Sequence, residues 1–561
     1  MNMQMGFGRK RWSVLVILVL SLMLLLAACS KSDGTKESGQ DPAQTDGKKP
    51  ESTKSAKKSE ITISIYDRGN IPPEEGNATK NRWVDWINEN SPVKVKLVPV
   101  PRWESREKFN ALFASGEAPD LIFEWSTIYH DQLYEQKQLL PLDDWIEKYS
   151  TEYKALLNEY PLLRQMGTKS DGKLYGIGKM YATPLDTNQA LYVRADWLEK
   201  LKLDVPKTTD ELYAVIKAFA EQDPDGNNKK DTFGVNLSFV GGYILDNVFG
   251  AGPPGWIIQD GQYVKNWERE TAAASFKKRL YDDRFVDKDF LTDQNGEKAQ
   301  QDFVNGKLGI FGVNFGSGEL GFTVFEALKK NNPDARVIAI PLPKSEFGQF
   351  SPSITGPMSI TAVVNAKAKD PEAVVHFIDF MAKESTSKTL KYGLEGVHYQ
   401  DGPNGCTQAI DPEKYQKEVS YALDLRMISS EIFEGTCGQY ISQLNPEKPL
   451  EKEFTEVLKQ AQQAYLTPER PVFFDITNES MPVLDQSLQL SFTNGLETIG
   501  GIWSKAIVGG TGYPIDKAAE DAKAAWQKAG GKALDDFYGK WFAENKDKIV
   551  YSKDWYKVGS K

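Results

Sequence analysis

The stretch from residue 61 to residue 125 constrains the fold most. ITISIYD (61–67) alternates β-branched residues, VKVKLVPV (93–100) repeats the alternation, and DLIFEW (120–125) is a third apolar run. Between them lie RWVDWINEN and REKFNALFASGE, whose apolar residues have helical spacing, and a turn at Gly69 to Pro73 ends the first strand. Strand, helix, strand, helix, strand at this spacing implies a parallel α/β sheet. Ligands of such sheets sit beyond the carboxyl ends of the strands. The residues just past those ends are Tyr66, Asp67 and Arg68, and after the third strand Glu124, Trp125 and Ser126.

The segment before this pattern reads as an address. A basic start (Arg9, Lys10, Arg11) is followed by an apolar core from about Val14 to Leu26 and by Ala27-Ala28 before Cys29, the layout of a secretory signal. The core is shorter than the roughly 20 residues a membrane-spanning helix needs. Leu26-Ala27-Ala28-Cys29 resembles the lipobox of bacterial lipoproteins, in which the signal is removed before the cysteine and its sulfur carries a diacylglycerol. Cys29 is read as a lipid anchor holding the protein on the extracellular face of a membrane; the alternative is an ordinary signal with an incidental cysteine. Residues 30–60 contain no aromatic residue and almost nothing apolar, so they read as a flexible tether.

Removing residues 1–28 moves the formal charge from −10 to −13, which argues against nucleic acid as a partner. The remaining length, about 500 residues, exceeds what one hydrophobic core organises, so two or more lobes are expected. Cys406 and Cys437 either pair outside the cell or remain two buried thiols.

FNALFASGEAPDLIFEW, QKQLLPLDDWIEKY, DGKLYGI and LYVRADWLEKLKLDVPKTTDEL follow one another in the order and spacing of landmarks in the extracellular solute-binding proteins, family 1. KYGLEGVHY and IGGIWSKAIVGG…PIDKAAEDAKAAWQKAGG resemble the large lipoproteins of that family in soil Gram-positive bacteria. The resemblance covers nearly all of residues 61–540. It implies an α/β, two-lobed, periplasmic-binding-protein-like fold that closes on a ligand at a hinge. One lobe would hold 61–180 plus 355–400, the other 182–350 plus a largely helical 401–561. It further implies a monomeric protein, not an enzyme, that delivers an oligosaccharide to ABC permease subunits; closure is what a permease distinguishes.

QDPDGNNKKDTFG (222–234) places Asp223, Asp225, Asn227, Lys229 and Asp231 at alternate positions, the pattern of an EF-hand-like calcium loop in which Lys229 offers its carbonyl and Gly226 permits the turn. Position 234 is glycine where an ordinary EF-hand has a bidentate glutamate. The loop resembles the calcium site of alginate-binding members of the family, except that Thr232 stands where an acid is expected. A structural Ca2+ is the reading, a solvated Asp-Asn turn the alternative. GSGELG (316–321) matches a dinucleotide fingerprint, but RVIAIP ends in proline where a ribose-binding acid belongs. It is read as a turn bringing Asn314 and Phe315 to the cleft rim.

Sugar binding needs flat apolar faces and planar polar groups. Of the 13 Trp residues, Trp83, Trp86, Trp145 and Trp197 lie in helical patterns and read as core. Trp125, Trp256 in AGPPGW and Trp503 in GGIW read as loop residues at the cleft, with Tyr181 at the lobe crossing. Asp67 and Arg68 would bracket hydroxyls, or form a surface salt bridge. Trp103 would pack at a helix start. A cell-surface glycoside hydrolase stays open among 78 acidic residues, but there is no G-x-S-x-G, H-E-x-x-H or C-x-x-C, and His130, His376 and His398 stand apart. The same fold could instead carry a peptide, a cation or an anionic glycan fragment.

Overall fold

The computed structural model describes residues 58–558, apart from 183–184, 188, 254, 315–320 and 403–404. Cys29, Phe315 and most of the glycine-rich run therefore lie outside the described residues. Lys58–Lys561 form one compact unit.

The first sheet has five strands in the order Lys94–Pro101, Glu60–Asp67, Leu121–Phe123, Met358–Val364, Gly176–Met180. The first three run parallel, with Glu60 opposite Lys94 and Asp67 opposite Pro101. The strand Met358–Val364 is antiparallel to both of its neighbours. Alternation sends Leu121, Phe123, Ala362 and Val364 into one core and Ile122 and Val363 into a second on the opposite face. Helix Arg82–Asn90 covers the first face through Trp83, Val84 and Ile87. Its start is fixed by Asn81, whose side chain accepts from the backbone N–H of Trp83 and Val84.

A second sheet has the order Val337–Ala339, Gln189–Arg194, Leu308–Asn314, Phe233–Val235. Its core is separate and includes Tyr192, Phe219, Phe311, Phe325 and Phe454. The chain crosses from the first sheet to the second after Met180 and returns before Met358. The two crossing segments pair with each other, Thr187 with Ile354 and Asp186 with Thr355 in antiparallel register.

The segment 401–561 was expected with the second lobe, and part of it differs. Val419, Tyr421, Ala422, Leu425, Met427 and Ile428 pack into the first sheet's core. A disulfide joins Cys406, beside the short hairpin Tyr399–Asp401/Thr407–Ala409, to Cys437 in the 3-10 segment Ile432–Gly438. In the same region Glu431 collects three cations, Lys179 at 3.2 Å, Arg426 at 2.6 Å and Lys391 at 2.6 Å, while Lys391 also reaches Glu434 at 2.6 Å. Burial alone would raise the Glu431 carboxyl, but the three cations hold it well below the usual carboxylate range. Burial pushes the Lys179 ammonium down to about 8 against the pull of Glu431.

The last helices, Gln486–Val508, Ile515–Lys528 and Gly531–Asn545, enclose an aromatic core with the hairpin Trp256–Gln259/Gln262–Lys265. Trp256 was expected on a cleft loop. It is instead 2% exposed, with ring centroids 5.0 Å from Tyr538 and 5.5 Å from Trp526. Its indole N–H donates to Asp535 at 3.1 Å, and the Trp526 N–H donates to the other oxygen at 2.9 Å. Asp260 (φ 50°) and Gly261 (φ 75°) both occupy the left-handed region, as a tight two-residue hairpin turn requires. Asp260-Gly261 between apolar alternations is the signal that marks Trp256 as a strand residue.

Two outcomes follow from this packing. Trp256→Ala leaves a cavity and an unpaired Asp535 oxygen, and should cost about 3–5 kcal/mol in a denaturant titration. Glu431→Gln should cost about 3 kcal/mol at neutral pH. A carboxyl held below its ordinary value of 4.5 stabilises the fold above that pH and loses the contribution as the pH falls through the folded-state value. The gap between wild type and Glu431→Gln should therefore be flat above about pH 5 and narrow steadily in more acid urea titrations.

Candidate functional site

Parallel pairing brings three strand ends to one edge of the first sheet. Tyr66 ends the first strand and is buried; its hydroxyl accepts from the backbone N–H of Trp125 at 3.2 Å. Burial and the charge of Glu124 push the Tyr66 hydroxyl up, and the nearby Arg102 opposes them. Arg102 follows the neighbouring strand, and its guanidinium carbon lies 4.7 Å from the Tyr66 ring centroid and 5.1 Å from that of Trp103. Glu124 is buried; one of its oxygens accepts from Ser126 N–H at 2.8 Å and the other has no partner. Ser126 in turn caps helix Thr127–Glu135 by accepting from Tyr129 N–H.

Trp125 is half-buried beside this group. The Lys179 ammonium lies 5.9 Å from the Trp125 ring centroid and 4.9 Å from that of Tyr181, so one cation faces both rings. Next to Trp125 opens a cavity of about 260 Å³, lined among others by Asp131, Gln132, Met481, Phe492 and Tyr538. It has flat aromatic walls and a few polar side chains, the composition that holds a small polar ligand with apolar faces.

The other expected site residues are distributed unevenly. Asp67 is exposed and accepts from Gly69 N–H at 3.1 Å. Arg68 does not bracket anything with Asp67; it is closed by a two-pronged pair with Asp424 at 2.6 and 2.9 Å. Asn314 ends the strand Leu308–Asn314, opposite Gln189. Trp503 is not in a loop but inside helix Gln486–Val508, half-buried against the aromatic core. His398 is buried, with Nδ1 accepting from Leu394 N–H at 2.9 Å and Nε2 3.1 Å from Glu418. Trp103 does not pack at its helix start; it is 86% exposed. Arg102, Lys179 and Glu431 were missed. Lys179 and Glu431 stand 252 positions apart in sequence, so no local pattern marks them.

In the loop 223–231, Asp223 accepts from the backbone N–H groups of Asn227 and Asn228 at 3.1 and 3.0 Å. The Asn227 amide donates to Asp225 at 2.6 Å and to Asp231 at 3.0 Å, while Lys229 N–H donates back to the Asn227 oxygen at 2.7 Å. Gly226, at φ 75°, makes the turn. Carboxylates of Asp225 and Asp231 thus converge on one point, which the amide nitrogen fills. Among the described residues no group of three His, Cys, Asp or Glu is arranged to hold a metal ion. Nor, among them, is any helix long and apolar enough to cross a membrane.

The profile of the bacterial extracellular solute-binding proteins matches residues 74–387. The polygalacturonan/rhamnogalacturonan-binding protein YtcQ of Bacillus subtilis (strain 168) is 26% identical over 414 residues, covering 70% of this chain and 75% of YtcQ. Lipoprotein LipO of the same organism is 25% identical, covering 94% of this chain and 97% of LipO. The fold is that of the Streptococcus pneumoniae ABC-transporter substrate-binding protein FusA in complex with kestose, with a TM-score of 0.65, 17% identity, and coverage of 87% of this chain and 100% of FusA. A FusA EF-hand mutant in complex with fructo-nystose superposes with a TM-score of 0.64, at the same identity and coverage. The architecture is accordingly α/β and periplasmic-binding-protein-like, two lobes about a hinge and cleft. With the profile spanning more than half of its length, the chain belongs to the bacterial extracellular solute-binding proteins.

Proposed function

We propose that this protein is the substrate-binding component of an ABC importer, capturing an extracellular oligosaccharide between its lobes and handing it unchanged to membrane permease subunits. The observation that carries the reading is the pair Trp125 and Tyr181, two rings facing the Lys179 ammonium, with Trp125 lining an open cavity. Pyranose rings offer apolar C–H faces and paired hydroxyls, and this lining matches both. The relatives support it: YtcQ is named for the polysaccharides it binds, and the FusA structure is a complex with kestose. The paired crossing strands Asp186–Thr187 and Ile354–Thr355 supply a hinge of few residues, so the lobes close without disturbing either core. Nothing at this edge is assigned a bond-making role.

Cys29 is proposed as the diacylglycerol-bearing anchor and residues 30–60 as the tether, keeping the monomeric binding unit at the extracellular face of the cell membrane. The lipoprotein relative LipO, aligned over nearly its whole length, supports this placement.

The loop 223–231 is proposed as a structural calcium site. Half a turn of the Asn227 amide exchanges its nitrogen for its oxygen at the point where Asp225 and Asp231 converge, giving three oxygen donors. Asp223 and the Lys229 carbonyl would add to the shell. A bound divalent cation would neutralise the carboxylates and pin the segment between helix Thr209–Glu221 and strand Phe233–Val235.

Two measurements test these readings. In thermal-shift assays across a panel of oligosaccharides, a ligand at 100 times its Kd should add about 2.7 kcal/mol and visibly raise the Tm, and the recovered glycan should be of unchanged length. Trp125→Ala should weaken that ligand at least about tenfold; a shortened glycan would instead identify a hydrolase. For the loop, a chelator should lower the Tm, added Ca2+ should restore it, and Asp225→Asn should remove the response.

A further inference from the structure

The cations near this sheet edge are treated differently by the fold. Arg68 is closed by Asp424, and Lys179 and Arg426 are closed by Glu431. Arg102 has no such partner. Among the described residues its side chain makes no hydrogen bond and no ion pair, and its Nε is buried without a partner. It is held in place by rings alone, 4.7 Å from Tyr66 and 5.1 Å from Trp103. Stacking fixes the plane of the guanidinium without using any of its five N–H donors, which are set in a rigid fork suited to a carboxylate.

The placement is as telling as the missing partner. Arg102 follows directly on the strand Lys94–Pro101, whose last residue lies opposite Asp67, so it stands at the same carboxyl edge as Tyr66 and Trp125. The Trp103 ring beside it is 86% exposed, the most exposed of the large apolar side chains described, and contributes nothing to a core. A flat open ring next to an unsatisfied planar cation is a complementary surface for a sugar ring bearing a carboxylate. The Glu124 carboxylate forms no ion pair with the guanidinium; one of its oxygens accepts from Ser126 N–H.

We propose that Arg102 is the specificity-determining residue of the cleft, recognising a carboxylate on the ligand, with Trp103 stacking on the ring that carries it. The cargo is then an acidic oligosaccharide containing uronate residues. This rests on the reading of the cleft as a carbohydrate site and narrows it to one charge class, in a chain whose own formal charge is −10. A local positive group is needed to draw an anion to so acidic a protein.

The test compares shape-matched ligands that differ only in charge. Titration calorimetry of the protein with oligogalacturonates or oligoglucuronates, and with their methyl esters, should show the acid binding at least about tenfold more tightly than the ester. Arg102→Met should lower affinity for the acid by about 10- to 100-fold, to the level of the ester. Arg102→Lys should recover part of the loss, because an ammonium keeps the charge and loses the fork. Equal binding of acid and ester by the wild type overturns the inference with no variant needed, as does an acid preference that survives Arg102→Met. In either case the carbohydrate reading stands. If no acidic or neutral glycan binds, that reading fails as well.

Discussion

The parallel register between Glu60–Asp67 and Lys94–Pro101 is the constraint on which the site depends. In an antiparallel pair the end of one strand lies beside the start of the next, and Tyr66 and Arg102 would stand at opposite edges. Parallel pairing needs a crossover, here helix Arg82–Asn90, and the crossover is fixed by the Asn81 cap and by burial of Trp83 and Ile87. Weakening that helix would loosen the register, and with it the spacing of Tyr66, Arg102 and Trp125. The chemistry at the edge is thus held by packing some residues away from it.

Motion has a different basis. Each sheet has its own hydrophobic core; among the described residues the two strands that join them pair at Asp186–Thr355 and Thr187–Ile354, and the chain crosses once more between Ile428 and Leu444. Relative rotation can therefore be absorbed by a few backbone dihedrals while both cores stay buried. The cluster around Glu431 works the other way. It joins the end of strand Gly176–Met180 through Lys179 to helix Glu384–Tyr392 through Lys391, and burial makes each member costly to leave unpaired. Rigidity is concentrated on the first-sheet side of the crossing, where the aromatic edge is built.

What was legible in the sequence was the local periodicity. The three parallel strands and their helices were visible in the alternation of Ile61, Ile63 and Ile65 and in the helical spacing of Trp83, Val84 and Ile87, because each pattern is completed within one element. Trp256 was misread because Pro-Pro-Gly drew attention to a loop, although Asp260-Gly261 marks the hairpin that buries it. Arg68 was placed at the ligand because its partner, Asp424, lies 356 positions away. Trp503 sits between glycines and a basic residue that suggest a turn, yet Gly500 and Gly501 have open space around them and the helix runs straight through. Pairings across hundreds of residues are set by tertiary packing, and no window of sequence contains them.

That limit also identifies what the fold does not use. A residue needed for stability is expected to be buried and satisfied, and Trp256 and His398 both meet that condition once their distant partners are known. Trp103 and Arg102 do not. An indole left in water gains almost nothing from burial, and a guanidinium whose Nε is buried but unbonded is worse off than one in solvent. Local departures from good packing concentrate where a chain meets something outside itself. Two adjacent departures at the carboxyl edge of a parallel sheet, beside rings the fold has already oriented, place that meeting at Arg102 and Trp103 and not at the aromatic core around Trp256.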